Sequence, residues 1–172
     1  MSKREVYEKL LAEIGQADAV TSTRLFDDYE ANAWRFARAF DGTDELLSWL
    51  KKLKLPIAIV SNGETHIQLR SIQALKLDLL VDECVISEQE GCRKPEPAIF
   101  QCAAERLNVQ VEDCIFVGDS TEADMFGARS LGMKTIWFPN GAFWPDSYNW
   151  RPEATIGSLS EVRELVQLWA GW

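Results

Sequence analysis

The sequence predicts an α/β fold, Rossmann-like, with a mostly parallel sheet, helices on both faces and a helical segment at the N-terminus. Three observations carry that expectation. Short apolar runs at residues 57–60, 84–86, 115–117 and 135–138 are each bounded by turn or capping residues, as strands are. Between them lie stretches with apolar residues three and four apart, and strands alternating with helices imply parallel pairing. The first forty residues hold two such helical stretches with no strand between them.

Val6, Leu10 and Ile14 share one helical face, and Gly15 ends that helix; Phe26, Tyr29, Ala33, Phe36 and Phe40 mark a second. Asp41-Gly42-Thr43 reads as a turn, with Thr43 capping a helix that carries Leu46, Leu47, Leu50 and Leu53. Asp44 and Glu45 in its first turn suit the helix dipole. Pro56 precedes the first strand, which Ser61-Asn62-Gly63 closes, and a helix with Ile67, Ile72 and Leu75 follows. Pro97 starts a helix with the stripe Phe100, Ala103, Ala104 and Leu107. Ile115, Phe116 and Val117 read as a buried strand that Gly118 breaks, and Ser120-Thr121 open a helix running towards Leu131. After the strand at 135–138, the loop 139–152 holds Asn140-Gly141, Trp144 and Trp150, so it is either functional or anchored by its tryptophans. Ser158-Leu159-Ser160 cap a last helix.

A chain of 172 residues suffices for one core with a small appended subdomain, and a net charge of -9 argues against nucleic acid and anionic membrane surfaces. Nothing resembles a signal peptide and no apolar run could span a bilayer, so the expectation is a cytoplasmic protein. Cys84, Cys92, Cys102 and Cys114 form no CxxC pair, and His66 is the only histidine to assist a zinc site, which points to buried, reduced thiols.

Asp119 and Asp124 sit where a strand hands over to a helix, the rim at which open α/β sheets bind ligands. Paired acids there suit Mg²⁺, a hard cation that takes oxygen ligands, although both could simply cap the helix. Ser61, Asn62 and Gly63 end another strand at the same rim, offering a phosphate cradle or a plain helix cap. Lys94, between Arg93 and Pro95-Glu96-Pro97, stands just before a helix start. That position is electrostatically poor for a cation unless an anion lies between. Together a hydroxyl, a lysine and paired carboxylates supply what phosphoryl transfer needs.

These segments resemble the motifs of the haloacid dehalogenase superfamily, mostly Mg²⁺-dependent phosphatases. "IAIVSNG" resembles its second motif, "RKPEPAIF" its lysine-bearing third and "IFVGDSTEAD" its fourth, GDxxxxD. The resemblance implies that Ser61, Asn62, Gly63 and Lys94 bind phosphate, that Lys94 and Asp119 act in catalysis, and that Asp119 and Asp124 serve the metal. It implies a partial helical cap over residues 1–40 and an α/β core over 41–172. The family's first motif, DxDGT, which carries the aspartate nucleophile on a central strand, is absent: Asp41-Gly42-Thr43 matches only its tail, with Ala39 at the nucleophile position. The strands ending at Ser61 and leading to Asp119 should therefore face a gap. Either the numbering starts inside a longer protein, or another segment or chain fills the slot, or the two strands pair directly.

The function so implied is Mg²⁺-dependent phosphomonoester hydrolysis through an aspartyl-phosphate, acting on a small phosphorylated metabolite, with this chain carrying motifs two to four. The alternative is an inactive module that binds phosphate and Mg²⁺ or a protein partner. A dehalogenase shares the fold, whereas a phosphoacceptor receiver domain places its acids before its lysine, the reverse of the order here. A gap in the sheet would also favour a homodimer or a strand-swapped association.

Overall fold

The computed structural model describes residues 3–171. Helices α1 (Lys3–Glu13) and α2 (Ala19–Asn32) lead through a 3₁₀ turn to α3 (Thr43–Lys52). Strands β1 (Ala58–Ser61) and β2 (Glu83–Ile86) flank α4 (Thr65–Ala74), and the short α5 (Ser87–Glu90) precedes α6 (Pro97–Arg106). Strand β3 (Ile115–Gly118) runs into a wide helical turn at Thr121–Phe126 and α7 (Gly127–Arg129). Strands β4 (Lys134–Trp137) and β5 (Ala154–Thr155) and helix α8 (Glu161–Ala170) complete the chain. Among the described residues no helix is long and apolar enough to cross a membrane.

All pairing is parallel, but the sheet comes in two pieces, β2-β1 and β3-β4-β5. Direct pairing of β1 with β3 does not occur. The two pieces still share one core: Val85, Ile99, Phe100, Ala103, Ala128 and Met133 are buried together, with Ala58 and Val60 of β1 and Phe116 of β3 packed against them. On the other face α3 and α8 bury Leu46, Val162 and Val166 against Ile136. Helices therefore cover both faces, as the alternation of patterns requires.

Burial across the sheet runs opposite to the norm. Central strands of a parallel sheet are ordinarily the most buried. Here Val85 and Ile86 of β2 are fully enclosed, as is Ile136 of β4, whereas no residue of β1 or β3 is buried and Val117 is 38 % exposed. The expectation of a buried strand at 115–117 is thus corrected. The inner strands are the exposed ones because each lacks a neighbour on the side facing the other piece.

The N-terminal helices also differ from expectation. Leu10 and Ile14 are exposed and Leu11 is buried, because α1 meets α2 through Tyr7 against Tyr29 and Arg4 over Phe26, which rotates the packed face by one residue. Phe36 is exposed, since α2 ends at Asn32 and a 3₁₀ turn carries residues 33–36 away from its stripe. Gly42, in the left-handed region at φ 82°, takes the N-cap position of α3; the Thr43 hydroxyl donates instead to the Phe40 carbonyl. The four cysteines are free but half-buried rather than buried, and burial pushes each thiol's pKa up, so they stay neutral. Trp144 anchors loop 139–152 by packing on Trp137, Tyr148 and Trp150.

The loop returns through Glu153, whose Oε2 accepts from the backbone N–H and hydroxyl of the fully buried Thr135 at 2.7 and 2.6 Å. Burial works to raise the Glu153 pKa, but the Thr135 hydrogen bonds and Arg129 outweigh it and hold the carboxyl below its ordinary value. Glu153→Ala strands both donors and should cost about 1–2 kcal/mol in urea unfolding at neutral pH. A carboxyl depressed in the folded state stabilises above the unfolded glutamate range, about pH 4.3, and loses that contribution as pH falls through the folded value. The gap between wild type and variant should therefore narrow on acidification.

Candidate active site

Three chain segments meet at the C-terminal rim of β1 and β3. Strand β1 ends at Ser61, and the Asn62 side chain reaches across to Lys94: its Oδ1 accepts from the Lys94 N–H and its Nδ2 donates to the Lys94 carbonyl, both at 2.9 Å. The paired bonds lock the lysine's backbone to the end of β1. The Lys94–Pro95 peptide is cis, and Pro97 stands at the first turn of α6.

From there the Lys94 side chain runs over the Phe116 ring, 5.6 Å from its centre, and Nζ meets Asp124 Oδ1 at 2.6 Å. This ion pair is well enclosed, with side-chain exposures of 13 % for Lys94 and 5 % for Asp124. The other carboxylate oxygen, Oδ2, accepts from the Ser120 N–H at 3.0 Å, so both oxygens of Asp124 are engaged. The wide turn after β3 makes this possible. The Ser120 carbonyl accepts from the N–H groups of both Asp124 and Met125, and the Ser120 hydroxyl caps Ala123. Turns of this width recur at functional positions because they re-aim a side chain without ending the helix. Gly118 leaves the room: a Cβ there would lie 2.5 Å from Asp124 Oδ2.

Asp119 sits at the end of β3 with its side chain exposed. Its backbone carbonyl accepts from the Trp137 indole N–H at 2.8 Å, which fixes the main chain. Among the described residues nothing pairs with its carboxylate. An exposed, unpaired acid beside a lysine–carboxylate pair fits a hard divalent cation of the Mg²⁺ type.

Ser61 is adjacent, but its hydroxyl donates to Gln68 Oε1 on α4 at 2.9 Å, so an arriving anion must draw that proton away. The Gly63 N–H donates to the Ser87 hydroxyl at 3.0 Å. The structure thus joins Asn62, Lys94, Ser120 and Asp124 by direct bonds, with Ser61, Gly63 and Asp119 beside them. Sequence reading missed Gln68, Ser87 and Trp137. Ser87, directly after a strand and three residues before Glu90-Gly91, carried the one local signal, that of a capping serine.

A family described as haloacid dehalogenase-like hydrolase matches residues 2–132, a span that holds every one of these site residues except Trp137. Glyceraldehyde 3-phosphate phosphatase from Pyrococcus furiosus is 36% identical over 141 residues, covering 81% of this chain and 59% of that protein. (S)-2-haloacid dehalogenase 4A from Burkholderia cepacia is 32% identical over 136 residues, covering 78% of this chain and 58% of that one. The chain therefore spans a little under six-tenths of either relative. The structure of the HAD-hydrolase YfnB from Bacillus subtilis bound to magnesium superposes with a TM-score of 0.84 at 26% identity, over 96% of this chain and 73% of that one. With the rim geometry and a match over most of its length, the chain belongs to the haloacid dehalogenase-like hydrolase family.

Proposed function

We propose that this chain supplies the phosphate- and metal-holding part of a Mg²⁺-dependent phosphomonoesterase acting on a small phosphorylated metabolite. The observation that carries the reading is the enclosed Lys94–Asp124 pair, clamped by Asn62 to the end of β1 and standing beside the unpaired Asp119. Lys94 offers its remaining ammonium protons to phosphate oxygens, and Asn62 and Gly63 shape the cradle around them. Asp119 is the metal ligand. Asp124, with both oxygens engaged, orients Lys94 and the turn and acts on the metal site from behind. Bound there, Mg²⁺ would neutralise charge on the phosphoryl group and help hold it in line.

The attacking aspartate belongs in the slot between β1 and β3, on a parallel strand whose C-terminal end opens at the same rim. With that strand supplied by a different segment or chain that carries the motif, hydrolysis proceeds through an aspartyl-phosphate. Residues 1–40 form part of a cap over this rim and 41–172 the core. The free thiols suit a cytoplasmic setting.

The test is p-nitrophenyl phosphate turnover with Mg²⁺, measured for the chain alone and with an apolar peptide ending in Asp-x-Asp-Gly-Thr. The expected result is no turnover alone and Mg²⁺-dependent turnover on addition, lost in Asp119→Asn. Turnover by the chain alone, or turnover indifferent to Asp119, overturns the reading. A second reading, a non-catalytic module binding phosphate and Mg²⁺, rests on the same unpaired strand edges. Mg²⁺-dependent phosphate binding with no turnover in either arm selects it.

A further inference from the structure

A second group of ligand-type side chains begins one residue beyond Gly63, where the N-terminal helices meet α4. Glu30 comes from the end of α2, and Glu64 and His66 from the start of α4; one donor atom of each falls within 4.8 Å of the others. His66 Nε2 stands 3.3 Å from Glu30 Oε1. Two ligands bound at the 2.0–2.1 Å typical of zinc in a tetrahedron are about 3.3–3.4 Å apart, so this pair already spans one edge of such a site.

The charge balance points the same way. Burial, then Glu30, which also hydrogen-bonds to it, and then Glu88 work against a charge on the Glu64 carboxyl, and the His66 imidazole works for it. Glu88 is committed elsewhere, accepting from the Thr65 N–H at 2.7 Å. Two carboxylates, both half-buried, thus meet one imidazole across a seam between separate elements. Like charges so placed repel, and a proton or a cation must lie among them. The imidazole decides which cation: Mg²⁺ and Ca²⁺ favour all-oxygen shells, whereas one imidazole with two carboxylates suits Zn²⁺ and its neighbours.

We infer that Glu30, Glu64 and His66 form a three-ligand site for a divalent transition ion of the zinc type, which ties α2 to the start of α4. Three protein ligands leave the fourth position to water. All three groups ligate in their unprotonated forms, so the ion displaces any proton that the carboxylates share. Glu64 follows Gly63 directly, so the tie also braces the loop that ends β1. This inference does not depend on the phosphatase reading, since it concerns different side chains and a different class of cation.

Zn²⁺ alone, titrated calorimetrically into the full chain, should bind at one ion per chain. His66→Ala and Glu30→Gln should each weaken it at least tenfold, while Asp119→Asn leaves it unchanged. His66 is largely exposed, so its substitution spares the fold, and Glu30→Gln keeps size and hydrogen bonding. Co²⁺ substituted for Zn²⁺ should give a visible spectrum without thiolate charge-transfer bands. Absence of saturable uptake overturns the inference, as does an affinity unmoved by either variant, or a thiolate spectrum that assigns the ion to the cysteines.

Discussion

Lys94→Met should lower the stability of this protein by about 3 kcal/mol, the low end of what removing one partner of a buried ion pair costs. Methionine fills much of the lysine's volume over Phe116, so lost packing contributes little. What remains is a carboxylate, Asp124, 5 % exposed and stripped of its counter-charge. Against a typical total stability of about 5–15 kcal/mol such a loss is large. The double variant Lys94→Met/Asp124→Asn separates charge from shape. The asparagine keeps an oxygen for the Ser120 N–H and carries no charge, so the double variant should recover a good part of the loss. Guanidinium unfolding of the four proteins measures the cycle. Equal losses in the single and double variants would mean that the pair is not what holds this corner together.

Gly118→Ala should cost about 2–3 kcal/mol, for a reason of space rather than backbone conformation. Its φ lies outside the left-handed region, so alanine could adopt the local geometry. The new methyl would, however, stand 2.5–2.7 Å from three atoms of the Asp124 side chain, which is held from both sides and cannot retreat. Either β3 shifts or the Lys94–Asp124 contact opens. Gly157→Ala is the matched comparison: its nearest neighbour, Glu161 Oε1, is 3.7 Å away, and the change should stay within about 0.5 kcal/mol. Similar losses at the two glycines in thermal melts would remove the steric explanation.

Strands β1 to β4 were legible because each is a run of β-branched or aromatic residues ended by a turn former, a pattern that depends on little outside itself. Strand β5 was not: Ala154–Thr155 is two residues long and exists because β4 offers it a free edge at Ile136 and Trp137. The same limit explains Val117. Its sequence is that of an inner strand, and its exposure follows from a neighbour missing from the sheet, which no local pattern records. On α1 a period near four fits both Val6-Leu10 and Tyr7-Leu11, and the partner helix chose the second.

In the site, Ser61, Lys94 and Asp119 could be read from strand ends and helix starts. That Asn62 grips the main chain of Lys94, or that Glu30 faces His66, could not, since those partners lie 32 and 36 positions apart in the chain. The match to the family described as haloacid dehalogenase-like hydrolase spans residues 2–132, which include these three positions.

The two hydrogen bonds between Asn62 and Lys94 have a mechanical consequence. They make the tip of β1 and the ammonium-bearing loop one rigid lever, with the open flank of β1 as its long arm. A polypeptide that paired with that flank would act, through these two bonds, on the loop that carries the Lys94 ammonium.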